Sequence, residues 1–242
     1  ICANYNHAKW IGGCIESVIR QSFTRWTLVL IDDQSTDGSL QVIRPYCMKD
    51  ERVQLVQLPK NSGAYCARNT GIAAMKHLAW THVTFIDPDD VASPGWLEHM
   101  LHQCRPGMHL VRPLLQRVNA SMTQNHRRYY GYCPSLYTRE LWNAIGGFMD
   151  VRIAGDTECV LRAERLLELN QLRPANARQV VQICRMHSSN ASSTHGHERK
   201  IWLEQRRNEI GNACTPAALH VKPNATNFPG DSDTLSTPKP SK

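Results

Sequence analysis

Trp26-Thr27-Leu28-Val29-Leu30-Ile31-Asp32-Asp33-Gln34-Ser35-Thr36-Asp37-Gly38 is a short apolar run that stops at two carboxylates and passes into helix-capping residues. Its apolar part has the length of a buried strand. Upstream, Ile11, Cys14, Ile15, Val18 and Ile19 recur at helical spacing. Downstream, Ser35-Thr36-Asp37 supplies N-cap chemistry for a helix that turns Leu40 and Ile43 inward, and a second strand follows at about 52–58. Lys60-Asn61-Ser62-Gly63 reads as a loop, 64–79 as a helix rich in small residues, and 82–86 as a strand that runs into Asp87-Pro88-Asp89-Asp90. Strands alternating with helices at this pitch imply an α/β layer fold with a parallel sheet, where ligands sit beyond the carboxyl ends of the strands. Both acidic clusters fall at such ends.

Ser93 and Pro94 open a helix carrying Leu97, Met100 and Leu101, and after Cys104 the chain changes character. Strand-like stretches follow near 109–112 and 130–137, then a helix over 138–145 stopped by Gly146-Gly147, a helix opened by Asp156, and a strand over 179–186. From Ser188 the chain is polar, regains a basic helix at about 198–210, and ends in a Pro/Ser/Thr/Asn tail whose last ~25–30 residues are expected to be mobile. The organisation predicted is 1–105 as one half, 106–192 as a second half of the same domain, and 193–242 as a basic helix with a flexible tail.

A chain of 242 residues, 41% hydrophobic, supports one substantial core and excludes disorder along its whole length. No apolar run approaches the ~18 residues of a membrane span, and no charged-then-apolar leader is seen. Ile1-Cys2 reads as the tail of an interrupted apolar segment, so further chain is expected upstream. Nine cysteines, an odd number without a C-x-x-C pair, favour free thiols and a reducing, cytoplasmic compartment. The formal charge of +7 suits a solvated face, a diphosphate ligand, or peripheral association with an anionic membrane or polymer surface. It does not require nucleic acid.

Residues i and i+2 leaving a strand end can aim two carboxylates at one small volume, which makes Asp87 and Asp89 candidate ligands for Mg²⁺ or Mn²⁺ bridging substrate phosphates. Taken alone, the same run is equally an Asp/Pro turn capping the helix at Ser93. Helix capping accounts for Ser35 or Asp37 but leaves Asp33 unexplained, and its carboxylate can accept hydrogen bonds from a uracil N–H or a ribose hydroxyl. Arg68, on a small-residue helix face beside Gly63, offers a planar group with several donors, or serves as an ordinary salt-bridge partner.

The ordered set Asn4-Tyr5-Asn6, Ile31-Asp32-Asp33-Gln34-Ser35-Thr36-Asp37-Gly38, Asn61-Ser62-Gly63 with Ala67-Arg68-Asn69-Thr70-Gly71-Ile72, and Phe85-Ile86-Asp87-Pro88-Asp89-Asp90 resembles glycosyltransferase family 2. Gly146-Gly147-Phe148 followed by Gly155-Asp156-Thr157-Glu158 looks like the acceptor-side segment of the same family, and the likeness covers roughly 1–192. It implies an A-type glycosyltransferase fold with a Rossmann-like, mostly parallel central sheet flanked by helices, the nucleotide-sugar donor in 1–105 and the acceptor over 106–192. It further implies an inverting glycosyltransferase working with Mn²⁺ or Mg²⁺ on a UDP-sugar, with a glycan, lipid-linked or protein acceptor. By that resemblance Tyr5 lies on or beside the base, Asp33 and Arg68 contact uracil, Asp87 meets the ribose or the metal shell, Asp89 binds the metal, and Asp156 is the general base. His187 lies where family members place a histidine near metal or diphosphate, and otherwise reads as a surface residue after a strand. The family often carries Glu-Asp where this chain has Gly155-Asp156. Glu158 either stands in for the missing carboxylate or only favours the helix N-terminus.

A sugar-1-phosphate nucleotidyltransferase would show a Gly-rich basic loop after the first strand, where this chain has Ala3-Asn4-Tyr5-Asn6-His7. A dehydrogenase would show G-x-G-x-x-G, which Gly12-Gly13 does not supply. The rival from another class is a non-catalytic binding module that keeps the fold without turnover.

Overall fold

Each residue of Leu28–Asp32 is buried, so this strand is covered on both faces, as a central strand of a parallel sheet must be. The computed structural model describes residues 1–152, 154–187 and 196–221. In chain order the elements are β1 (Cys2–Asn4), α1 (Ala8–Ile19), β2 (Leu28–Asp32), α2 (Ser39–Lys49), β3 (Val53–Gln57), α3 (Ala64–Ala74), β4 (His82–Val83), β5 (Val91–Ala92) and α4 (Trp96–Gln103). The second half adds β6 (Leu110–Asn119), β7 (Asn125–Tyr130), β8 (Leu136–Thr138), α5 (Arg139–Ile145), α6 (Gly155–Leu169), β9 (Ala175–Met186), α7 (Gly196–Gly211) and α8 (Pro216–Leu219).

β1, β2 and β3 form a wholly parallel sheet in that order, with Asn4 beside Asp32 and Asp32 beside Gln57. The expected strand over 82–86 splits in two. His82 and Val83 pair antiparallel with β8, while Ile1 N donates to Thr84 O (3.0 Å) and Ile86 N to Ile1 O (3.1 Å), which lays 84–86 parallel to β1. The second sheet runs β4-β8-β6-β9-β5 with β7 on β6, and only its β6–β9 pair is parallel. Parallel pairing therefore holds the first half and a mixed sheet the second.

The stretch read as one strand over 130–137 is two strands joined by a turn. Ser135 N donates to Tyr132 O, and a side chain at Gly131 would collide with Leu115, its Cβ lying 2.1 Å from Cδ1. The basic residues before it, Arg127 and Arg128, lie in the exposed strand β7. The helix over 64–79 stops at Ala74. The basic helix appears as α7, whereas the mobile-tail reading falls mostly outside the described residues.

α3 approaches β2 so closely that a Cβ on Gly71 would lie 2.5 Å from Ile31 Cδ1, so the small-residue face exists for packing. On the opposite side Ile11, Ile15, Ile43, Trp96, Met100 and Val181 close one core across both sheets. A separate aromatic cluster of Phe85, Tyr137, Trp142 and Phe148 lies under α5 and α6, with ring centroids 4.9–6.3 Å apart in tilted and edge-on geometry. Beneath α6, Arg162 is 1% exposed and makes a two-pronged pair with Glu158, while its remaining donors bind Ile145 O, Gly147 O and Leu219 O. Arg206 of α7 adds a third bond to Glu158, which is 0% exposed. Glu158 therefore does not stand in for the missing carboxylate: its oxygens are used up inside the fold.

Candidate active site

Three loops beyond the carboxyl ends of β1, β2 and β3 are tied into one platform by side chain–backbone bonds. Asn4 Nδ2 donates to Asp32 Oδ1 (3.1 Å) and to Ser35 Oγ (3.0 Å), and Asn6 Oδ1 accepts from the amides of Thr36 (2.7 Å) and Asp37 (3.3 Å). Asn6 and Gln34 hold φ of 59° and 65°, the left-handed turn that lets each loop reverse tightly. Tyr5 stands on this platform with 46% of its surface exposed.

Asp33, 2% exposed, has a structural duty that capping logic missed. Its two oxygens accept from the amides of Ser62 (2.7 Å) and Gly63 (2.8 Å), and its carbonyl accepts from Asn61 Nδ2 (3.1 Å). It thus fixes the third loop to the second. Burial pushes its carboxyl up, and the two amide bonds pull against that shift. Each oxygen keeps a lone pair for a further donor.

Arg68 is 4% exposed, about as deeply set as Asp33. One guanidinium nitrogen binds Asp87 Oδ1, and the group lies 5.3 Å from the Tyr65 ring and 5.8 Å from both Phe85 and Phe148. Burial works against its charge, but Cys133, Asp87, Tyr65 and Asp156 together raise its pKa. Its Nε is buried without a partner. Asp87, 40% exposed, keeps a face toward solvent, and Tyr65 Oη donates to Asp156 Oδ1 at 3.0 Å. Asp156 sits in the first turn of α6, where the helix dipole favours a negative charge. A continuous path of contacts therefore runs from Asp87 through Arg68 and Tyr65 to Asp156.

Asp89 and His187 come together from 98 residues apart: Nε2 lies 2.8 Å from Oδ2. Two donors on adjacent vertices around a cation with ~2.1 Å bonds lie about 3 Å apart, so this pair fits one edge of a divalent ion's shell. Among the described residues no three acidic, histidine or cysteine side chains gather as a full ligand set. A shell completed by phosphate oxygens and water is what Mg²⁺ or Mn²⁺ accepts. Asp90, the next residue, is as buried as Asp89, each 7% exposed. Burial and its acidic neighbours Asp87 and Asp89 push its carboxyl well up, and its Oδ1 accepts from Arg185 N (2.9 Å). Arg185 also donates to Asp89 O (3.1 Å) and Ala120 O (2.8 Å) and lies 4.3 Å over the Trp10 ring. Trp10 in turn stacks on His187 at 6.0 Å. These contacts hold the end of β9 against the acidic loop. Nothing in the sequence pattern linked Arg185 or Trp10 to the site.

A cavity of about 540 Å³ lies at the other ends of the strands among Phe23, Trp26, Met75 and Trp80, and includes none of the acidic residues above.

Parallel strands carrying acidic loops at their carboxyl ends, joined to a mixed second sheet, define an A-type glycosyltransferase fold. Solved structures share it. The mannosyltransferase PcManGT from Pyrobaculum calidifontis, in complex with GDP-Man and Mn²⁺, aligns with a TM-score of 0.69 at 17% identity over 92% of this chain and 66% of its own. S. aureus TarS 1-349, in complex with UDP-GlcNAc, aligns with a TM-score of 0.64 at 19% identity over 80% of this chain and 59% of its own. The chain belongs to glycosyl transferase family 2, whose sequence profile matches residues 1–154. TuaG of Bacillus subtilis (strain 168), named as a teichuronic acid biosynthesis glycosyltransferase, is 37% identical over 101 residues, which are 42% of this chain and 39% of TuaG. Glycosyltransferase GlyG of Streptococcus pneumoniae serotype 4 (strain ATCC BAA-334 / TIGR4) is 30% identical over 99 residues, 41% of this chain and 32% of GlyG. The chain thus spans under two fifths of the length of these relatives. No helix among the described residues is long and apolar enough to cross a membrane.

Proposed function

We propose that this chain carries out inverting transfer of a sugar from a nucleotide-diphosphate donor, a UDP-sugar, to an acceptor hydroxyl with the help of a divalent cation. The observation that carries the reading is the pairing of Asp89 with His187 beside Asp87, in contact through Arg68 and Tyr65 with a carboxylate at a helix N-terminus. Tyr5 offers a ring for the base, and Asp33 the remaining lone pairs for a uracil N–H. Arg68 orients Asp87 toward the ribose or the metal shell and shares the contact with uracil expected of it and Asp33. Asp89 and His187 would hold Mn²⁺, to which imidazole is suited, or Mg²⁺; when bound, the cation neutralises charge on the leaving diphosphate. Asp156 takes the proton of the acceptor hydroxyl as that oxygen bonds to the anomeric carbon and the bond to the diphosphate oxygen breaks, which inverts the carbon. Holding both reactants in line supplies much of the rate, so the platform residues matter alongside the base.

The family relatives support a glycan acceptor, and TuaG's name points to polysaccharide assembly. Nine free thiols support a reducing, cytoplasmic setting, and the basic surface supports work beside an anionic membrane or polymer.

The test is a panel of nucleotide sugars with Mn²⁺, Mg²⁺ or EDTA, read by thermal shift and by nucleotide release. A metal-dependent shift with slow hydrolysis of one UDP-sugar is expected. Metal-dependent UDP binding without hydrolysis of any donor leaves the non-catalytic module as the better account. No shift with any nucleotide sinks the donor assignment.

A further inference from the structure

Gly155 stands where family members carry the first carboxylate of an acidic pair, and the structure shows what occupies that space. A Cβ at position 155 would lie 2.8, 2.9 and 3.0 Å from ring atoms of Tyr65, distances that a rigid aromatic ring cannot relieve by a small rotation. The ring is held on its other sides by Phe148, centroids 5.4 Å apart, and by the Arg68 guanidinium 5.3 Å away. From this position Tyr65 Oη reaches Asp156 Oδ1 at 3.0 Å. Gly155 and Tyr65, 90 positions apart in sequence, are therefore one feature.

We propose that Tyr65 is the positioning residue of Asp156: its ring fills the space of the missing side chain at 155, and its hydroxyl pins one carboxylate oxygen so that the other faces the acceptor. This rests on the reading of Asp156 as the base. A free carboxylate rotates about a broad, two-fold torsion. A bond to one oxygen removes that freedom before the acceptor arrives. Burial and the neighbouring Asp156 push the phenol far up, so Tyr65 stays a donor throughout the neutral range. The other titratable groups facing Asp156 are Arg68 of α3, Cys133 of the turn before β8, Tyr137 of β8, and Cys159 of α6 itself. Burial raises the two thiols and Tyr137 and keeps them neutral, which leaves Arg68 as the one cation in this set.

Two experiments test it on the whole chain. Tyr65→Phe keeps the ring and removes the hydroxyl. The expected result is a fall in kcat of about 10–100-fold for UDP release from the hydrolysed UDP-sugar, with KM for that donor little changed. At neutral pH the Asp156 carboxyl carbon resonance should shift in ¹³C NMR as the bond to Oδ1 is lost. A variant with unchanged kcat and an unchanged Asp156 carboxyl resonance overturns the inference. In the second experiment Gly155→Glu should lower the melting temperature sharply, and adding Tyr65→Ser should restore most of it; a stable Gly155→Glu single variant overturns the space-filling argument. The NMR shift and the rescue need no turnover. If both appear while no nucleotide sugar is hydrolysed by the unaltered chain, the proposed function fails and the coupling of Tyr65 to Asp156 stands.

Discussion

Two arginine–carboxylate pairs sit under the two halves of this molecule, and they differ in what they leave over. Arg162 and Glu158 are 1% and 0% exposed, joined by two bonds of 2.7 and 2.8 Å, and every remaining direction ends on a backbone carbonyl or on Arg206. Arg68 is as deeply buried, yet it touches Asp87 through one nitrogen, keeps a buried Nε without a partner, and holds a carboxylate that is 40% exposed. The closed pair uses its bonding capacity inside the fold and joins the Gly146-Gly147 turn to α6, α7 and α8. The open pair presents a charged oxygen at the mouth of the site. Completeness of bonding, more than the presence of the pair, separates scaffold from site.

The largest effect should come from breaking the closed pair. Glu158→Ala strands the buried Arg162 guanidinium and takes one of two carboxylate partners from the half-buried Arg206, and is expected to cost about 3–5 kcal/mol of stability. Urea denaturation of the two proteins reads this directly, and substituting Arg162 by Met in the same chain should recover part of the loss. A cost below 1 kcal/mol would remove the distinction between the pairs.

Breaking the open pair should have the reverse profile. Asp87→Asn keeps the shape of the side chain and its contact with Arg68, and is expected to change stability by about 1 kcal/mol or less. Calorimetric titration with UDP and Mn²⁺ should show affinity reduced at least ~10-fold, the loss of one charge-assisted contact. Unchanged affinity together with a large stability loss would make Asp87 a scaffold residue like Glu158.

The same distinction explains what could be read in advance. The first half is built by contacts between neighbours in sequence order, strand to helix to strand, so apolar period and capping residues located β2, β3 and the acidic loops to within a residue or two. Asp33 stood out because capping left it unexplained, Asp87 and Asp89 because their spacing suits a cation as well as a turn, and Asp156 as a base only through the family resemblance. What escaped depends on pairs far apart in the chain. Tyr65 against Gly155, Arg185 against Asp90, and Trp10 against His187 leave no period or spacing to detect, and the split of 82–86 between two sheets follows from its partners, β1 and β8. The choice left open for Glu158 was settled partly in the same way, since besides Arg162 one turn on it meets Arg206, 48 residues away on α7.

The smallest effect tests the platform itself, where two carboxylates of one loop are held in opposite senses. Asp33 is raised chiefly by burial. For the exposed Asp37, burial also works upward, but bonds from the Ser39 hydroxyl, the Ala8 amide and the Ser39 amide outweigh it and hold the carboxyl below its ordinary value of 3.8. A depressed carboxyl stabilises the fold above the unfolded value and loses that contribution as pH falls through the folded one. Asp37→Ala removes acceptors at the starts of both α1 and α2 and should cost about 1 kcal/mol near pH 7. The gap between variant and parent should narrow as pH falls below about 4, because protonation strips the parent of the same bonds. A gap that stays constant from neutral to acid pH would mean that Asp37 acts as a neutral acceptor, and that the first two loops are joined mainly by Asn4 and Asn6.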